Sequence, residues 1–146
     1  MKTLAVALVF AALGAVAQTK NAAAQKLVDE IKAAHPEITG LELAAKTPGA
    51  GCQTIAATEA KEVGEKCDDD EFTAWNTNKP FIEQEKEEFD VTLPIHDSSG
   101  KVIATAGMDF KRQAGRTKET VAREAQKIGA EIERRLAAEP GILGPA

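Results

Sequence analysis

One stretch of the chain, residues 88–111, constrains the fold more than any other. Apolar side chains occupy every second position from 89 to 95 and again from 102 to 110. The four residues 97–100, with the sequence DSSG, separate the two runs and have the composition of a tight turn. Alternation with a period of two is typical of strands that bury one face, so this stretch predicts a β-hairpin with a four-residue loop.

The register of this hairpin follows if His96 lies opposite Lys101, because every pair on one face is then apolar. In this register Glu88 lies opposite Asp109, and the second face of the two strands is polar. The polar residues that we select there as candidate ligand-binding residues are Asp90, Thr92, Thr105 and Asp109.

Two further pairs of patterns complete the domain. Residues 21–34 and 121–136 carry apolar side chains at helical spacing. Residues 40–46 alternate, and residues 52–58 indicate a returning strand after a Pro-Gly turn. These elements predict an α+β fold, with an antiparallel sheet of four to five strands and the N- and C-terminal helices packed on one face.

The ends of the helices carry capping signals. Thr117 is a candidate cap for the last helix, and three aspartates at 68–70 precede a short segment that can start a helix. Apart from such short helical possibilities, residues 59–88 are polar and show no periodicity, so the pattern does not fix how this segment crosses the sheet.

The first residues have the composition of an export signal. Lys2 is followed by an unbroken apolar run over residues 4–13, and the sequence AVA before Gln18 provides a cleavage site near Ala17. The run is shorter than the roughly 20 residues that cross a membrane. We therefore predict a signal peptide over residues 1–17 and a single domain over 18–146 that is periplasmic or secreted and does not insert into a membrane.

The charge balance disfavours two classes of partner. The chain has 18 Lys and Arg against 23 Asp and Glu, a net charge of −5. Nucleic-acid binding needs a basic surface that releases counterions from phosphates, so we expect no nucleic-acid partner. An anionic membrane surface is disfavoured for the same reason.

Cys52 and Cys67 are the two cysteines of the chain. In an exported protein, a pair that closes a loop of this length indicates a disulfide. A metal pair and a catalytic thiol are the alternatives, but the sequence contains no Cys-x-x-Cys spacing and no haem-attachment motif.

No other motif indicates a metal, a cofactor or a catalytic centre. The sequence lacks a Gly-x-Ser-x-Gly nucleophile motif. His35 and His96 stand apart, and we interpret both as exposed. The aspartates at 68–70 are interpreted as helix-capping residues rather than calcium ligands. We expect a protein that is not an enzyme and that holds no cofactor or metal.

Several segments together resemble a known family. They are GLEL at 40–43, TIAAT at 54–58, VGEK at 63–66, and above all DVTLPIHDSSGKVIATAGMDF at 90–110. On these residues the chain resembles the Cache domains, PAS-like sensor modules that lie outside the membrane in bacterial receptors. The resemblance runs through most of residues 18–146.

The resemblance implies a sensor fold in which one sheet face packs on the helices and the other encloses a small ligand. Amino-acid-binding members use a tyrosine, arginine and tryptophan cluster, and this chain has no tyrosine. Of the ligand-binding residues of the family, the resemblance carries over two to this chain, Trp75 and Asp109. Family receptors continue into a transmembrane helix and a cytoplasmic output, whereas this sequence ends at Ala146.

These observations lead to two functional expectations. The first is an exported, non-catalytic sensor-like module that binds a ligand with a positively charged group and presents or buffers it, with a membrane receptor or a second copy of the chain as candidate partner. The alternative is a structural or protein-interaction module of the same fold without a ligand, in which the apolar stripe of the last helix is partly exposed.

Overall fold

The computed structural model describes residues 21–144. The predicted signal peptide and its cleavage site near Ala17 lie outside these residues. No helix within 21–144 is long and apolar enough to span a membrane.

The structure is an α+β domain built on one antiparallel sheet, as predicted. The sheet has five strands in the order β2-β1-β5-β4-β3. In chain order the elements are α1 (Ala22–Ala34), β1 (Ile38–Thr47), β2 (Gly51–Ala57), a 3-10 helix (Ala60–Glu62), α2 (Asp69–Thr77), β3 (Phe81–Gln84), β4 (Glu88–His96), β5 (Val102–Lys111), α3 (Lys118–Ala138) and a second 3-10 helix (Pro140–Leu143).

Capping residues start both terminal helices, and the cap predicted at Thr117 is confirmed. The Asn21 side chain accepts a hydrogen bond from the Ala24 backbone N–H at the start of α1, and the Thr117 hydroxyl accepts one from the Thr120 N–H at the start of α3. The predicted apolar stripes are buried, except that Ala34 at the end of the first stripe is exposed.

The hydrophobic core lies between one face of the sheet and the helices α1 and α3. The alternating residues of β1, β4 and β5 supply one side of this core. Its largest fully buried side chains include Phe89, Phe110, Leu27, Ile31, Ile38 and Leu43. The helix α2 contributes Ala74 to the opposite face, where α2 packs across β4 and β5.

The hairpin of β4 and β5 has the predicted faces but not the predicted register. Asp90 lies opposite Asp109 rather than Gly107, and Val91 lies opposite Met108. Two extra residues shift the pairing: the loop spans 97–101, and a bulge between Ile95 and His96 leaves Ile103 unpaired. A shift by two positions keeps every side chain on its face.

A disulfide covers the outer edge of β2. The predicted bridge between Cys52 and Cys67 is present in the structure. It fixes a strap of residues 64–67 along the strand, where the Thr54 N–H donates to the Glu65 carbonyl at 2.9 Å and the Cys67 N–H to the Cys52 carbonyl at 3.1 Å. The strap therefore satisfies the backbone groups of an edge strand.

Both histidines are held in polar contacts, so the interpretation of exposed histidines was wrong. The His35 ring lies between the carboxylates of Glu131 (2.6 Å) and Glu37 (3.0 Å). The His96 ring contacts Glu133 Oε1 at 2.7 Å and, on its other nitrogen, Asn78 Oδ1. Glu131, Glu133 and Asn78 lie 96, 37 and 18 residues away from their histidine in the sequence, so no local pattern indicated these contacts.

Candidate functional site

An acidic pocket opens on the sheet face opposite the core, where β1, β5 and β4 lie side by side. Its volume is about 140 Å³. The first 3-10 helix and the end of β2 form its other wall. The residues that line this acidic pocket are Gly40, Leu41, Glu42, Thr58, Glu59, Glu62, Asp90, Gly107 and Asp109.

Asp90 and Asp109 both line the pocket. They are directly opposite each other on β4 and β5, and both are half-buried. Burial, and then the negative charge of Asp109, raises the pKa of Asp90 to about 7. Burial and the nearby Glu88 raise the pKa of Asp109 to about 6. Neither carboxyl takes part in an ion pair within residues 21–144.

Two glycines make room for the carboxyl groups. A Cβ atom at Gly40 would lie 2.5 Å from Asp109 Oδ2, and one at Gly107 would lie 2.7 Å from Glu42 Oε1. Gly40 pairs with Asp109 and Gly107 pairs with Glu42 across β1 and β5. The carboxyl group of Asp109 therefore lies over β1 and that of Glu42 over β5. Any side chain in place of Gly40 or Gly107 would fill the space that these groups occupy.

Glu42 is the pocket residue with the most perturbed ionisation. Burial, and then the carboxyl of Glu71, raises its pKa to about 8. The Thr54 hydroxyl on β2 donates to Glu42 Oε2 at 3.5 Å. The raised pKa favours the protonated form of Glu42, which can donate a hydrogen bond as well as accept one.

Glu71 connects the helix α2 to this group. Its carboxylate accepts a hydrogen bond from the Asp68 backbone N–H at 2.8 Å, in a capping box that starts α2. Glu71 is only 7% exposed, and its carboxyl raises the pKa of Glu42. Burial raises the pKa of Glu71 as well.

The outer wall adds further acidic groups. Glu62 is half-buried, and burial followed by the charges of Glu59 and Glu65 raises its pKa. Glu59 is exposed and binds the exposed Lys61 ammonium at 3.0 Å. Within residues 21–144, no group of three or more His, Cys, Asp or Glu side chains is arranged to hold a metal ion.

The structure brings together two of the five candidate ligand-binding residues. Asp90 and Asp109 meet in the acidic pocket. Thr92 and Thr105 share their face of the sheet but are buried, at 4% and 1% exposure, and do not line the pocket. Trp75 on α2 also lies outside the lining, and the Lys46 ammonium lies 4.5 Å from the centre of its ring.

Four acidic residues of the site were missed in the sequence. Glu42 sits on the outward face of an alternating strand, a position that also suits a solvent-exposed residue. Glu59, Glu62 and Glu71 belong to the segment without periodicity. The aspartates at 68–70 indicated a helix start, but they gave no sign that Glu71 is buried.

The fold resembles those of several solved structures, whereas no family model and no curated protein matches the chain. The fRMsr of Staphylococcus aureus, in its reduced form, gives a TM-score of 0.53 over 81% of this chain and 92% of that chain, at 13% identity. A Rhodococcus sp. RHA1 protein assigned as a transcriptional regulator gives a TM-score of 0.49 over 80% of this chain and 67% of that chain, at 13% identity. The type II free methionine-R-sulfoxide reductase of Thermoplasma acidophilum gives a TM-score of 0.43 over 73% of this chain and 89% of that chain, at 17% identity. The first likeness shows the fold alone: an α+β domain with a PAS-like antiparallel sheet.

Proposed function

We propose that this chain is a Cache-like, non-catalytic module that binds a small ligand through a positively charged group in the acidic pocket. The observation that carries the proposal is the pair Asp90 and Asp109. The two residues occupy opposite positions on β4 and β5 and both line the pocket, and no basic side chain within residues 21–144 forms an ion pair with either.

A cationic ligand relieves the cost of this arrangement. The negative charge of Asp109 adds to the effect of burial and favours the protonated form of Asp90. A bound ammonium or guanidinium group reverses the sign of the interaction and allows both carboxylates to ionise. Ligand binding should therefore release protons near neutral pH.

The volume of the pocket limits the size of the bound group. Pockets for drug-sized ligands typically have volumes of about 300–1,000 Å³. The acidic pocket, at about 140 Å³, is smaller. It suits a small amine, or the charged head of a larger ligand whose remainder stays outside.

A thermal-shift screen tests the proposal. The probes are methylamine, ethylenediamine, guanidine and putrescine, with sodium acetate and glycerol as uncharged or anionic comparisons. A ligand at a hundred times its Kd adds about 2.7 kcal/mol to the free energy of unfolding. We expect an amine to raise the melting temperature, with a larger rise at about pH 8 than at about pH 5, where Asp90 and Asp109 are protonated.

Matched variants locate the binding site. Asp109→Asn should abolish the amine-induced rise of the melting temperature. Glu87→Gln removes the same charge from an exposed loop and should leave that rise unchanged. No rise with any cation, or an equal rise in Asp109→Asn, would contradict the proposal and favour the interaction module without a ligand.

We also propose that the module works outside the cytoplasm and presents or buffers its ligand for a membrane receptor. The export pattern of residues 1–17 and the disulfide Cys52–Cys67 support this localisation. A fusion of residues 1–17 to alkaline phosphatase in a Gram-negative host, with a fusion that lacks them as control, measures export directly. Phosphatase activity no higher than that of the control fusion would contradict it.

Catalysis is the competing hypothesis, because the fold is shared with fRMsr. Both cysteines of this chain are bridged, so neither provides a thiolate nucleophile in the oxidised protein. Turnover would need dithiothreitol, both to open the bridge and to supply the two electrons that reduce free methionine-(R)-sulfoxide, and we expect no rate above the uncatalysed one under these conditions. Turnover that requires Cys52 or Cys67 would establish an enzyme instead.

A further inference from the structure

We propose that the exposed crest of α3 docks an acidic segment of a partner protein, with Lys127 and Arg134 as its main contacts. The crest consists of the exposed residues Arg123, Lys127, Ala130, Arg134 and Ala137. The helix α3 packs on the sheet face opposite the acidic pocket, so docking at the crest does not require a ligand in that pocket.

The crest residues share one face of the helix. Their spacing of three, four and seven residues keeps them within about a quarter of the helix circumference. The opposite face of α3 is the apolar stripe that packs in the core. Lys127 and Arg134 lie about 10 Å apart along the axis, at about 1.5 Å per residue. The crest therefore presents a row of side chains directly to solvent.

The positive charges of the crest have no acidic partner in the structure. Arg123, Lys127 and Arg134 form no ion pair within residues 21–144. Three glutamates flank the crest, but each contacts an arginine or histidine side chain instead. These contacts are Glu124 with Arg116 at 3.3 Å, Glu131 with His35 at 2.6 Å and Glu133 with His96 at 2.7 Å.

A groove of about 530 Å³ lies beside the crest, between α3 and the hairpin loop. Lys127 and Arg134 line this groove together with Ala130 and Ala137. The short alanine side chains leave space next to the two long basic side chains. A side chain of a partner can therefore enter the groove between two positive charges.

The two carboxylates that line the groove are already bound by donors of the chain itself. Asp97 Oδ1 accepts hydrogen bonds from the backbone N–H groups of Ser99 (2.9 Å) and Lys101 (3.1 Å). Glu133 Oε1 accepts one from the His96 backbone N–H at 2.9 Å and also contacts the His96 ring. The groove thus has engaged carboxylates and unpaired cationic groups, and the ligand that complements it is a carboxylate.

A protein segment fits this surface better than an anionic membrane does. Basic clusters that recognise anionic lipids typically contain about four to eight Lys or Arg residues, whereas the crest has three. The neighbouring helix α1 is joined to α3 by the ion pair of Glu30 with Arg135, and it also exposes Asp29. A flat anionic surface on this side would meet these acids, whereas a narrow acidic segment reaches the groove without covering α1.

An NMR titration with a synthetic peptide tests the proposal. The probe is an alanine-based helical peptide with two glutamates spaced as Lys127 and Arg134 are, and the control peptide has glutamines in their place. We expect the glutamate peptide to shift the amide signals of residues 126–137 and of the loop 97–101. Signals from the acidic pocket should not move, and the glutamine peptide should cause no shift.

Matched double variants locate the contact. An exposed ion pair contributes about twofold to fivefold in affinity, so Lys127→Gln with Arg134→Gln should weaken binding of the glutamate peptide by about 4-fold to 25-fold. Lys46→Gln with Lys66→Gln removes the same charge from β1 and from the strap, and should leave the Kd unchanged. Lys127→Glu with Arg134→Glu should reverse the preference and bind a lysine version of the peptide.

Several results would overturn the proposal. They are no binding of the glutamate peptide, an equal loss of affinity in the two glutamine double variants, and amide shifts outside the crest and its groove. Sedimentation of the protein with vesicles of phosphatidylcholine and phosphatidylglycerol would assign the crest to a membrane instead. Shifts of the crest signals when the protein alone is concentrated would assign it to a second copy of the chain.

Discussion

Gly107 shows how a single hydrogen atom in place of a side chain determines where an acid can lie. The Glu42 side chain crosses from β1 and occupies the space above Gly107, with Oε1, Cγ and Cδ all within 3.2 Å of where a Cβ would be. Backbone freedom is not the reason for glycine here, because Gly107 has no positive φ. The requirement is volume.

Gly107→Ala should therefore lower the free energy of unfolding by about 1–3 kcal/mol, the usual cost of overpacking a filled site. Urea denaturation measures it. Gly141→Ala is the matched control, since nothing lies within 4 Å of its new Cβ, and it should stay within about 0.5 kcal/mol of the wild type. Equal effects of the two substitutions would show that Glu42 moves away without cost.

At the same scale, Asp90 and Asp109 could be selected from the sequence, whereas Glu42 could not. The hairpin alternation assigns the two aspartates to the face away from the core, and they remain on that face although the register is different. For Glu42 the same alternation gives the face correctly. Its burial depends on α2 and the 3-10 helix, which no periodicity positions.

His35 links two elements that lie far apart in the sequence, the end of α1 and the middle of α3. Burial opposes its protonation, but the hydrogen bonds to Glu131 and Glu37 outweigh this and raise its pKa. A raised pKa means that the folded state binds the proton more tightly than the unfolded chain. The resulting stabilisation is complete below the unfolded pKa of about 6.5 and is lost as the pH rises through the folded value.

We expect His35→Gln to reduce the free energy of unfolding by about 1 kcal/mol at about pH 5.5 and by less at about pH 8.5. Chemical denaturation at the two pH values measures the difference. Glu131→Gln should reproduce the same pH dependence, because it removes the other half of the contact. A deficit in His35→Gln that grows with pH would contradict this assignment.

The disulfide acts on a second pair of elements, β2 and its strap. Replacing both cysteines by serine should lower the free energy of unfolding by about 3 kcal/mol, the chain-entropy value for a loop of this length. The bridge spans 15 residues. Dithiothreitol should destabilise the wild type by a similar amount and leave the double variant unchanged. If dithiothreitol, added under conditions that unfold the wild type and expose the bridge, does not change its free energy of unfolding, the bridge does not form.

Among the elements, the longest periodic segments were predicted best. The helices α1 and α3, the strands β1 and β2 and the hairpin all occur within a few residues of their predicted bounds. The short strand β3 was missed, because Phe81 and Ile82 stand in a polar segment and two apolar residues define no period. The hairpin register was wrong by two positions, because a bulge leaves no signal in an alternating pattern.

For the whole molecule, the distribution of apolar surface favours a single chain in solution. The α3 stripe, which the interaction hypothesis required to be partly exposed, is buried against the sheet. Phe72, at 44% exposure, is the one large hydrophobic side chain that is exposed within residues 21–144. Stable interfaces bury roughly 1,200–2,000 Å² around an apolar centre, and one phenylalanine does not provide this.

We therefore predict that sedimentation equilibrium gives the mass of one chain across a hundredfold range of concentration. Phe72→Ser should not change this mass. A dimer that dissociates on dilution would contradict the prediction and would revive the interaction module as the leading function.

The strand order has a consequence for how the chain is made. The sheet consists of the pair β1–β2 and the group β3–β4–β5, and the pairing of β1 with β5 is what joins them. Leu41 pairs with Met108, so this pairing closes a long loop and forms slowly. During synthesis β1 has no central partner until β5 leaves the ribosome. The complete sheet therefore forms only late in translation, after β5 has been synthesised.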